Sequence, residues 1–331
     1  MSRTKRRSLT ARQERWRLRK PFVISRGSIT VQDVVVVEVQ EGEFRGRGEA
    51  APSPRFGETV DSVLDTIANL RPALEAADGR EDINRLLPKG AARCAVDCAF
   101  WDLECKRKGL RAWELIGLTQ VGPRESSYTL SLDRPDAMAA AAREVDDYNI
   151  IKLKLGSGED LARVRAVREA VPDKRLIVDA NEAWSFDELR QLVGPLHDLG
   201  VELIEQPLRA GQDAALRDFK SAVPLCADES CTDRASLAPI SGCYDYINVK
   251  LEKCGGLTEA IALIAKAQSQ GWKIMVGCRV GTSLNLAPVT LTAQFAEFCD
   301  LDGPFLLAED RMDGLSQKAG FVSLPDSALW G

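Results

Sequence analysis

The stretch Ile150-Ile151-Lys152-Leu153-Lys154 is a short apolar run that ends in a charged residue, and the chain repeats this pattern at intervals of about 25 residues. Similar runs lead to four further charged residues, Asp179, Glu205, Asp228 and Lys250. The next run, Lys273–Gly277, ends without a charge, and Asp300-Leu301-Asp302 follows one interval later. Each interval fits one strand, one helix and two short loops, and such apolar runs are typical of buried parallel strands. The sequence therefore predicts an α/β fold of the (β/α)8-barrel type, in which the strand ends surround one opening.

The chain is longer than one barrel requires. Its 331 residues exceed the ~250 that are typical of such a barrel, which leaves material for a second domain. The N-terminal part opens with β-rich patterns such as Val34–Val39 and then turns helical, with a strong pattern over Ala91–Leu103. We therefore expect an α+β capping domain over residues 1–118 and a barrel over residues 119–305, with its first strand at Ser126–Leu132. Residues 306–331 are expected to pack back on the capping domain.

Composition and charge give no reason to expect a nucleic-acid or membrane partner. The net charge is −5, and no apolar stretch approaches the ~20 residues of a membrane span. The first twenty residues differ, with nine Lys or Arg against one Glu. We interpret them as a solvated tail that leads into an edge strand, Arg15–Arg19, and a nucleic-acid-binding arm is the alternative. The oligomeric state cannot be read from the sequence.

The cysteines indicate a reducing compartment. There are nine, scattered over the chain without CxxC pairs, which is typical of free thiols in a cytoplasmic protein. Three of them, Cys94, Cys98 and Cys105, fall in a helical stretch and are interpreted as small buried residues rather than as metal ligands.

The order of the strands predicts where the repeated charged residues lie relative to one another around the opening. Lys154 ends the second strand and Lys250 the sixth, so the two lysines face each other across the opening. The three strands between them end in carboxylates, Asp179, Glu205 and Asp228. Oxygen ligands without histidine or cysteine suit Mg²⁺ rather than zinc, so one Mg²⁺ per subunit is expected. The alternative is that each carboxylate pairs with a nearby lysine or arginine.

Two lysines on opposite sides of a metal-bound carboxylate indicate proton transfer at the α-carbon of the substrate. Mg²⁺ stabilises the enediolate that forms when the α-proton leaves, and a proton returned to the opposite face inverts the carbon. Lys152 lies on the same strand face as Lys154, and a neighbouring cation lowers the pKa of a lysine. The one histidine, His197, falls in a helical stretch, which excludes histidine-based acid–base chemistry.

Five motifs carry a resemblance to a known family: Lys152-Leu153-Lys154, Asp179-Ala180-Asn181, Glu205-Gln206-Pro207, Ala227-Asp228-Glu229-Ser230 and Lys250-Leu251-Glu252-Lys253-Cys254-Gly255-Gly256. With them the chain resembles the muconate lactonizing enzyme subgroup of the enolase superfamily. Asp300-Leu301-Asp302-Gly303 is similar to the Asp-x-Asp motif of the dipeptide epimerases in that subgroup. Phe22–Ser28 and Pro54–Glu58 are similar to the loops that close over the substrate.

The resemblance implies a small dipeptide substrate and inversion of the Cα of its C-terminal residue by two-base 1,1-proton transfer. The expected pair is L-Ala-D/L-Glu, in the recycling of murein peptides. The implied roles are Mg²⁺ binding by Asp179, Glu205 and Asp228; acid–base catalysis by Lys154 and Lys250, supported by Lys152; ammonium binding by Asp300 and Asp302; recognition of the glutamate side chain by Arg26; and further substrate contacts from Asn181 and Cys278.

Several interpretations stay open at this point. Asp300 and Asp302 can also form an acidic turn before Gly303, and Arg26 can be an ordinary loop arginine. Arg279 stands where the family has an apolar residue; if it points into the pocket it can pair with a substrate carboxylate, which leaves the exact dipeptide open. Rival functions are muconate cycloisomerase or o-succinylbenzoate synthase, whose substrates carry no ammonium group, and a non-catalytic metal- or peptide-binding barrel.

Overall fold

The computed structural model describes residues 7–156 and 158–331. The N-terminal part contains an antiparallel sheet in the order β1-β2-β3, formed by β1 (Arg7–Ile24), β2 (Gly27–Glu41) and β3 (Phe44–Ala50). β1 is an edge strand, as predicted for Arg15–Arg19, whereas the first six residues of the predicted tail lie outside the described residues. The four valines Val34–Val37 are fully buried, so both faces of β2 are covered.

After the sheet the chain forms a short 3₁₀-helix, Pro54–Phe56, and then the α-helices α1 (Val60–Ala76), α2 (Arg80–Leu86), α3 (Ala91–Lys108) and α4 (Ala112–Ile116). Helix α3 packs closely on β3 because Gly46 and Gly48 lack a Cβ; one added at either position would overlap the backbone of α3. The side chains of Cys94, Cys98 and Cys105 in α3 are buried, which confirms their interpretation as small core residues.

The rest of the chain forms the predicted barrel. A two-residue strand, β4 (Arg124–Glu125), precedes the barrel. The eight barrel strands are hydrogen-bonded in sequence order, and neighbouring strands are parallel. They are β5 (Ser127–Leu130), β6 (Ile150–Lys154), β7 (Arg175–Asp179), β8 (Val201–Glu205), β9 (Leu225–Ala227), β10 (Tyr246–Val249), β11 (Lys273–Gly277) and β12 (Phe298–Asp300). The helices between them are α5 (Pro135–Arg143), α6 (Asp160–Ala170), α7 (Phe186–Asp198), α8 (Leu251–Cys254), α9 (Leu257–Ser269) and α10 (Ser283–Thr292). No helix in the described part of the chain combines the length and apolar character needed to cross a bilayer.

The fourth and fifth units differ from the expected pattern of one α-helix per strand. After β8 and β9 the chain forms only short 3₁₀-helices, Asp213–Leu216 and Arg234–Ser236. A polar network orders these segments, because the Asp213 carboxylate accepts hydrogen bonds from Ser230 Oγ at 2.5 Å and from the Tyr244 hydroxyl at 2.6 Å. The expectation of a helix in every interval is therefore wrong for these two units.

Side chains inside the barrel form layers, because alternate residues of a strand point to the same face. The bottom layer is apolar and closes the barrel with Ile150, Ile177, Leu203, Cys226, Tyr246, Met275 and Phe298. Two residues further along each strand, the layer changes to Lys152, Asp179, Glu205, Asp228, Asn248, Gly277 and Asp300. The carboxylates of the repeated pattern thus lie directly above an apolar floor, and Lys154 and Lys250 lie two residues further along their strands.

The seam between β12 and β5 is closed mainly through side chains. The backbone N–H of Leu301 donates to Ser126 Oγ at 2.8 Å, and the backbone N–H of Thr129 donates to the Asp302 carboxylate at 2.7 Å. Beyond the seam, β13 (Gln317–Lys318) and β14 (Phe321–Val322) form a small sheet with β4.

The end of the chain lies against the N-terminal part. Trp330 is fully buried, and its Nε1 donates to the carbonyl oxygen of Cys98 at 3.1 Å. The Arg47 guanidinium, in β3, donates to the carbonyl oxygen of Leu329 at 2.6 Å. The division of the chain at residue 118 itself stays a prediction.

Candidate active site

The predicted catalytic and metal-binding residues converge at one end of the barrel, under the capping domain. Lys154, Asp179, Glu205 and Asp300 are the last residues of β6, β7, β8 and β12, and Asp228 and Lys250 directly follow β9 and β10. A cavity of about 410 Å³ lies above them, lined by Lys154, Asn181, Asp228, Lys250, Cys278, Arg279, Asp300 and Asp302 from the barrel and by Arg26 from the cap.

Lys152 is the central cation beneath this cavity. It is fully buried, and its Nζ lies 2.6 Å from Glu205 Oε2, 2.8 Å from Asp300 Oδ2 and 3.3 Å from Asp179 Oδ2. Burial alone would lower the pKa of Lys152, but these carboxylates outweigh it and raise the pKa well above its usual value. Lys152 is therefore a permanent ammonium group rather than a base.

Lys154 shares a partner with Lys152. Its Nζ lies 2.6 Å from the same Asp179 oxygen, Oδ2, so the two cations are neighbours as the sequence predicts. Burial opposes ionisation of Asp179, yet the two lysines outweigh it and lower the pKa of Asp179 to about 2. On the capping side the ring of Phe22 stands 5.9 Å from Lys154 Nζ and covers it.

Asp228 on the other side of the opening is also held by two lysines. Lys250 Nζ lies 2.6 Å from Asp228 Oδ2, and Lys253 Nζ lies 2.6 Å from Asp228 Oδ1. Despite burial, this pair of cations holds the pKa of Asp228 well below its usual value. Burial would lower the pKa of Lys250, but Asp228 and then Glu205 raise it far above its usual value.

The three carboxylates suit a divalent metal by their chemistry, and they lie at the ends of adjacent strands. Asp179 and Glu205 are register partners on adjacent strands, and Asp228 follows the next strand. Burial, and next to it the charge of Asp179, raises the pKa of Glu205, which is the like-charge repulsion that a cation would relieve. In the described residues, however, no three acidic, histidine or cysteine side chains converge closely enough to hold a metal as they stand. Each carboxylate instead forms an ion pair with a lysine, as the alternative interpretation expects.

Asp300 and Asp302 line the cavity at the seam of the barrel. Asp300 accepts hydrogen bonds from the hydroxyls of Ser127 and Thr129, both at 3.2 Å, in addition to Lys152. Lys152 overcomes the effect of burial and lowers the pKa of Asp300. Burial and the Asp300 charge instead raise the pKa of Asp302 to about 7. The pKa values of the two aspartates are therefore shifted in opposite directions.

Arg26 lies in the turn between β1 and β2 and joins the cap to the barrel. It donates to the carbonyl oxygen of Asn181 at 2.7 Å and forms ion pairs with Glu182 at 3.2 Å and Glu229 at 2.7 Å. Arg55 makes two hydrogen bonds of 2.6 Å to the same Glu182. The two predicted cap loops are thus anchored over the cavity by arginine–glutamate pairs.

Asn181 and Cys278 occupy the rim of the cavity. Asn181 has a left-handed backbone, with φ of 46°, and its backbone N–H donates to Asp179 Oδ1 at 2.9 Å. The Cys278 thiol is half-buried, and its backbone N–H donates to the carbonyl oxygen of Asp300 at 3.1 Å. His197 lies near the C-terminal end of α7, in the predicted helical stretch, and is exposed.

The sequence analysis missed several residues that organise the site. Asn248 Nδ2 donates to Glu205 Oε1 at 2.7 Å, and Gln206 Oε1 accepts from the backbone N–H of Asp228 at 2.8 Å. Lys253 forms an ion pair with Asp228 Oδ1 and also lines the cavity. Asn248 could have been identified from the sequence, since it is a polar residue at an inward position of an apolar strand. Nothing in the sequence distinguishes Lys253 beyond its place in the quoted motif.

Family models match both parts of the chain. Residues 6–117 match the N-terminal domain of mandelate racemase / muconate lactonizing enzyme, and residues 137–328 match the enolase C-terminal domain-like model. Among curated proteins, the L-Ala-D/L-Glu epimerase of Escherichia coli K12 is 42% identical over 94% of this chain and 98% of its own length. An N-acetyl-D-glutamate racemase of Pseudoalteromonas is 41% identical over 90% of this chain and 95% of its own length.

Solved structures are also similar to nearly the whole length of this chain. An enolase family member from Agrobacterium tumefaciens with homology to dipeptide epimerases, with bound sodium and L-Ala-L-Glu, superposes with a TM-score of 0.96 at 45% identity and covers 98% of this chain and 100% of its own. A dipeptide epimerase from Enterococcus faecalis, complexed with Mg and L-Leu-L-Tyr, has a TM-score of 0.91 at 29% identity and covers 97% of this chain and 98% of its own.

Proposed function

This chain belongs to the mandelate racemase / muconate lactonizing enzyme family of the enolase superfamily, and from that premise we propose that it epimerises dipeptides, with L-Ala-L-Glu and L-Ala-D-Glu as its substrate pair. One observation carries the proposal. Lys154 and Lys250, after the second and sixth of eight strands, line one cavity from opposite sides, and Asp300 and Asp302 line it at the eighth strand. Because L-Ala-D-Glu is a cell-wall dipeptide, the reaction would serve the recycling of murein peptides.

Asp179, Glu205 and Asp228 would hold the Mg²⁺ ion. When bound, Mg²⁺ stabilises the negative charge that develops on the substrate carboxylate as the α-proton leaves. A bound metal with a dipeptide in the Enterococcus faecalis relative supports this assignment. Asn248, which donates to Glu205, and Lys253, which holds Asp228, would orient two of the three ligands.

Lys154 and Lys250 would move the proton. One lysine removes the α-proton from one face of the C-terminal residue, and the other delivers a proton to the opposite face, so each is the base for one isomer and the acid for the other. Lys152 lies beside Lys154, with its Nζ near the same Asp179 oxygen, and would support it. Asp228 stabilises the ammonium form of Lys250, which is the form that donates a proton.

Asp300 and Asp302 would bind the α-ammonium group of the dipeptide. Both line the cavity, and an ammonium next to Asp302 would relieve the repulsion between the two carboxylates. Arg26 lines the cavity on the capping side, with 33% of its side chain exposed, and would meet the glutamate side chain there. Asn181 and Cys278 would contribute to the walls of the same pocket.

The Pseudoalteromonas relative favours one second candidate, racemisation of an N-acylated glutamate. Such a substrate has no ammonium group, so Asp300 and Asp302 would have no charge to bind. The same criterion separates dipeptide epimerisation from the cycloisomerase and synthase alternatives. Replacement of both aspartates by asparagine should disable a dipeptide epimerase and spare an enzyme of either other kind.

The experiment is proton NMR of L-Ala-L-Glu with the protein and Mg²⁺ in D₂O. We expect the glutamate α-proton signal to disappear while signals of L-Ala-D-Glu grow. Lys154→Ala and Lys250→Ala should each lose epimerisation, by about a hundredfold or more, yet each should retain exchange with only one of the two isomers. Exchange of N-acetylglutamate but of no dipeptide would replace the proposal by the second candidate.

A further inference from the structure

Arg279 lies in the wall of the cavity at the level of the acid–base lysines. It follows β11 and stands two residues after Gly277, which belongs to the polar layer above the barrel floor. The same two-residue step leads from Lys152 to Lys154 and from Asp300 to Asp302. Arg279 lines the cavity together with those groups. Its side chain therefore belongs to the ring that surrounds the substrate.

Arg279 also differs in charge balance from the two capping arginines. Arg26 forms ion pairs with Glu182 and Glu229, and Arg55 forms one with Glu182. Arg279 donates from Nη1 to the Ser53 hydroxyl at 3.0 Å, its Nε is buried without an acceptor, and among the described residues no carboxylate pairs with it. A buried N–H without an acceptor is unfavourable, so a ligand that brings an acceptor would be stabilised at this site.

The backbone of Arg279 packs beside the seam of the barrel. Gly277 is the register partner of Asp300, and a Cβ on Gly303 would lie 2.6 Å from the carbonyl oxygen of Arg279. The backbone of Arg279 therefore rests against the turn that carries Asp302. In the proposed function this turn receives the α-ammonium group, so the neighbour of Arg279 is the N-terminal residue of the dipeptide. Arg26 is instead bonded to Asn181, which follows β7 on the metal side of the opening.

We propose that Arg279 is a specificity-determining residue that accepts a carboxylate on the side chain of the N-terminal residue of the substrate. The inference rests on the proposed function and extends it to a substrate class, dipeptides with an acidic N-terminal residue. The planar guanidinium suits a carboxylate, and its Nε and remaining Nη donors supply the two parallel bonds that such a pair uses.

The test compares two substrates that differ only in the charge at this position, L-Glu-L-Glu and L-Gln-L-Glu. Both substrates are measured on the same protein, so a loss of folded enzyme cancels in the ratio of their kcat/KM values. The wild-type ratio is expected to be about tenfold or more in favour of L-Glu-L-Glu, the size of a charge-assisted hydrogen bond. Arg279→Met should reduce the ratio to about one, and Arg279→Lys, which keeps the charge, should retain part of it.

A second ratio of kcat/KM values identifies the substrate residue whose side chain Arg279 recognises. The preference for L-Ala-L-Glu over L-Ala-L-Gln tests the C-terminal side chain and should keep its value in Arg279→Met. Collapse of this second ratio instead of the first would overturn the inference, as would a wild-type ratio of one for the first pair. Absence of turnover of L-Ala-L-Glu and every other dipeptide by the wild type would overturn the proposed function as well, so the two failures are distinguishable.

Discussion

Lys253 Nζ lies 2.6 Å from Asp228 Oδ1 and 2.8 Å from the carbonyl oxygen of Asn248, so a buried lysine holds the Asp228 oxygen that Lys250 does not contact. Removal of this charge leaves part of a buried ion pair uncompensated. Lys253→Met is expected to lower the free energy of unfolding by about 3 kcal/mol, measured by urea denaturation. Lys266→Met, at an exposed position of α9, is the control and should stay within about 0.5 kcal/mol of wild type. A change of that small size in Lys253→Met would show that the pair contributes no net stability.

The raised pKa of Asp302 predicts a pH dependence of substrate binding. Burial and the charge of Asp300 raise the pKa of Asp302 to about 7, and a bound ammonium favours its charged form. Binding must then displace a proton below pH 7, so KM for L-Ala-L-Glu should rise up to about tenfold for each pH unit below 7. Above about pH 8 the substrate amine loses its own proton, and KM should rise again.

Asp302→Asn supplies the control for this pH profile. The variant cannot titrate at residue 302, so the rise in KM below pH 7 should vanish even though KM is higher throughout. Persistence of the rise would assign it to another group, and Glu229, whose pKa burial and Asp228 raise to about 7, is the residue to replace next.

Binding of Mg²⁺ to the three carboxylates should stabilise the folded protein. A ligand at 100 times its Kd that binds only the native state adds about 2.7 kcal/mol to the free energy of unfolding. We expect urea denaturation to show this increase with Mg²⁺ and its reversal with EDTA. Glu205→Gln should lose the effect, whereas Glu169→Gln, at an exposed position of α6, should keep it. A wild-type denaturation curve that does not change when Mg²⁺ is added would contradict the assignment of the metal ligands.

Gly277 provides the space through which Lys250 reaches the cavity. A Cβ at residue 277 would lie 2.8 Å from Lys250 Cε and 2.8 Å from Asn248 Oδ1. Gly277→Ala should therefore displace Lys250. It should slow α-proton exchange by about tenfold for the isomer whose α-proton Lys250 removes, with less effect on the other isomer. Gly194→Ala, in α7 with open space around the added methyl group, is the control and should leave both exchange rates unchanged. Equal slowing of both isomers would contradict a specific effect on Lys250.

The regular spacing of charged strand ends was enough to predict most of the fold and the main side chains of the site. Lys154, Asp179 and Glu205 could be placed because each ends an apolar run, and strand order then determines which groups face each other. The short 3₁₀-helices after β8 and β9 could not be predicted, since they depend on Asp213 reaching Ser230 and Tyr244 across two loops.

Other parts of the site depend on contacts distant in the sequence. The pairing of Arg26 with Glu229 joins residues 203 positions apart, and no local pattern in either segment indicates it. The position of Arg279 against the Asp302 turn likewise requires the three-dimensional packing of two strand ends. The roles of the individual site residues, and the boundary at residue 118, stay predictions until they are measured.

The hydrogen bond from Thr129 to Asp302 has a consequence for the evolution of new substrates on this scaffold. The same carboxylate that would select an ammonium group also completes the closure of the barrel. A shift to substrates without that group therefore cannot discard the side chain freely, since glycine or alanine would leave the Thr129 N–H without its acceptor. Asparagine keeps the acceptor and removes the charge, so the first steps of such a shift are open mainly to substitutions that preserve the seam.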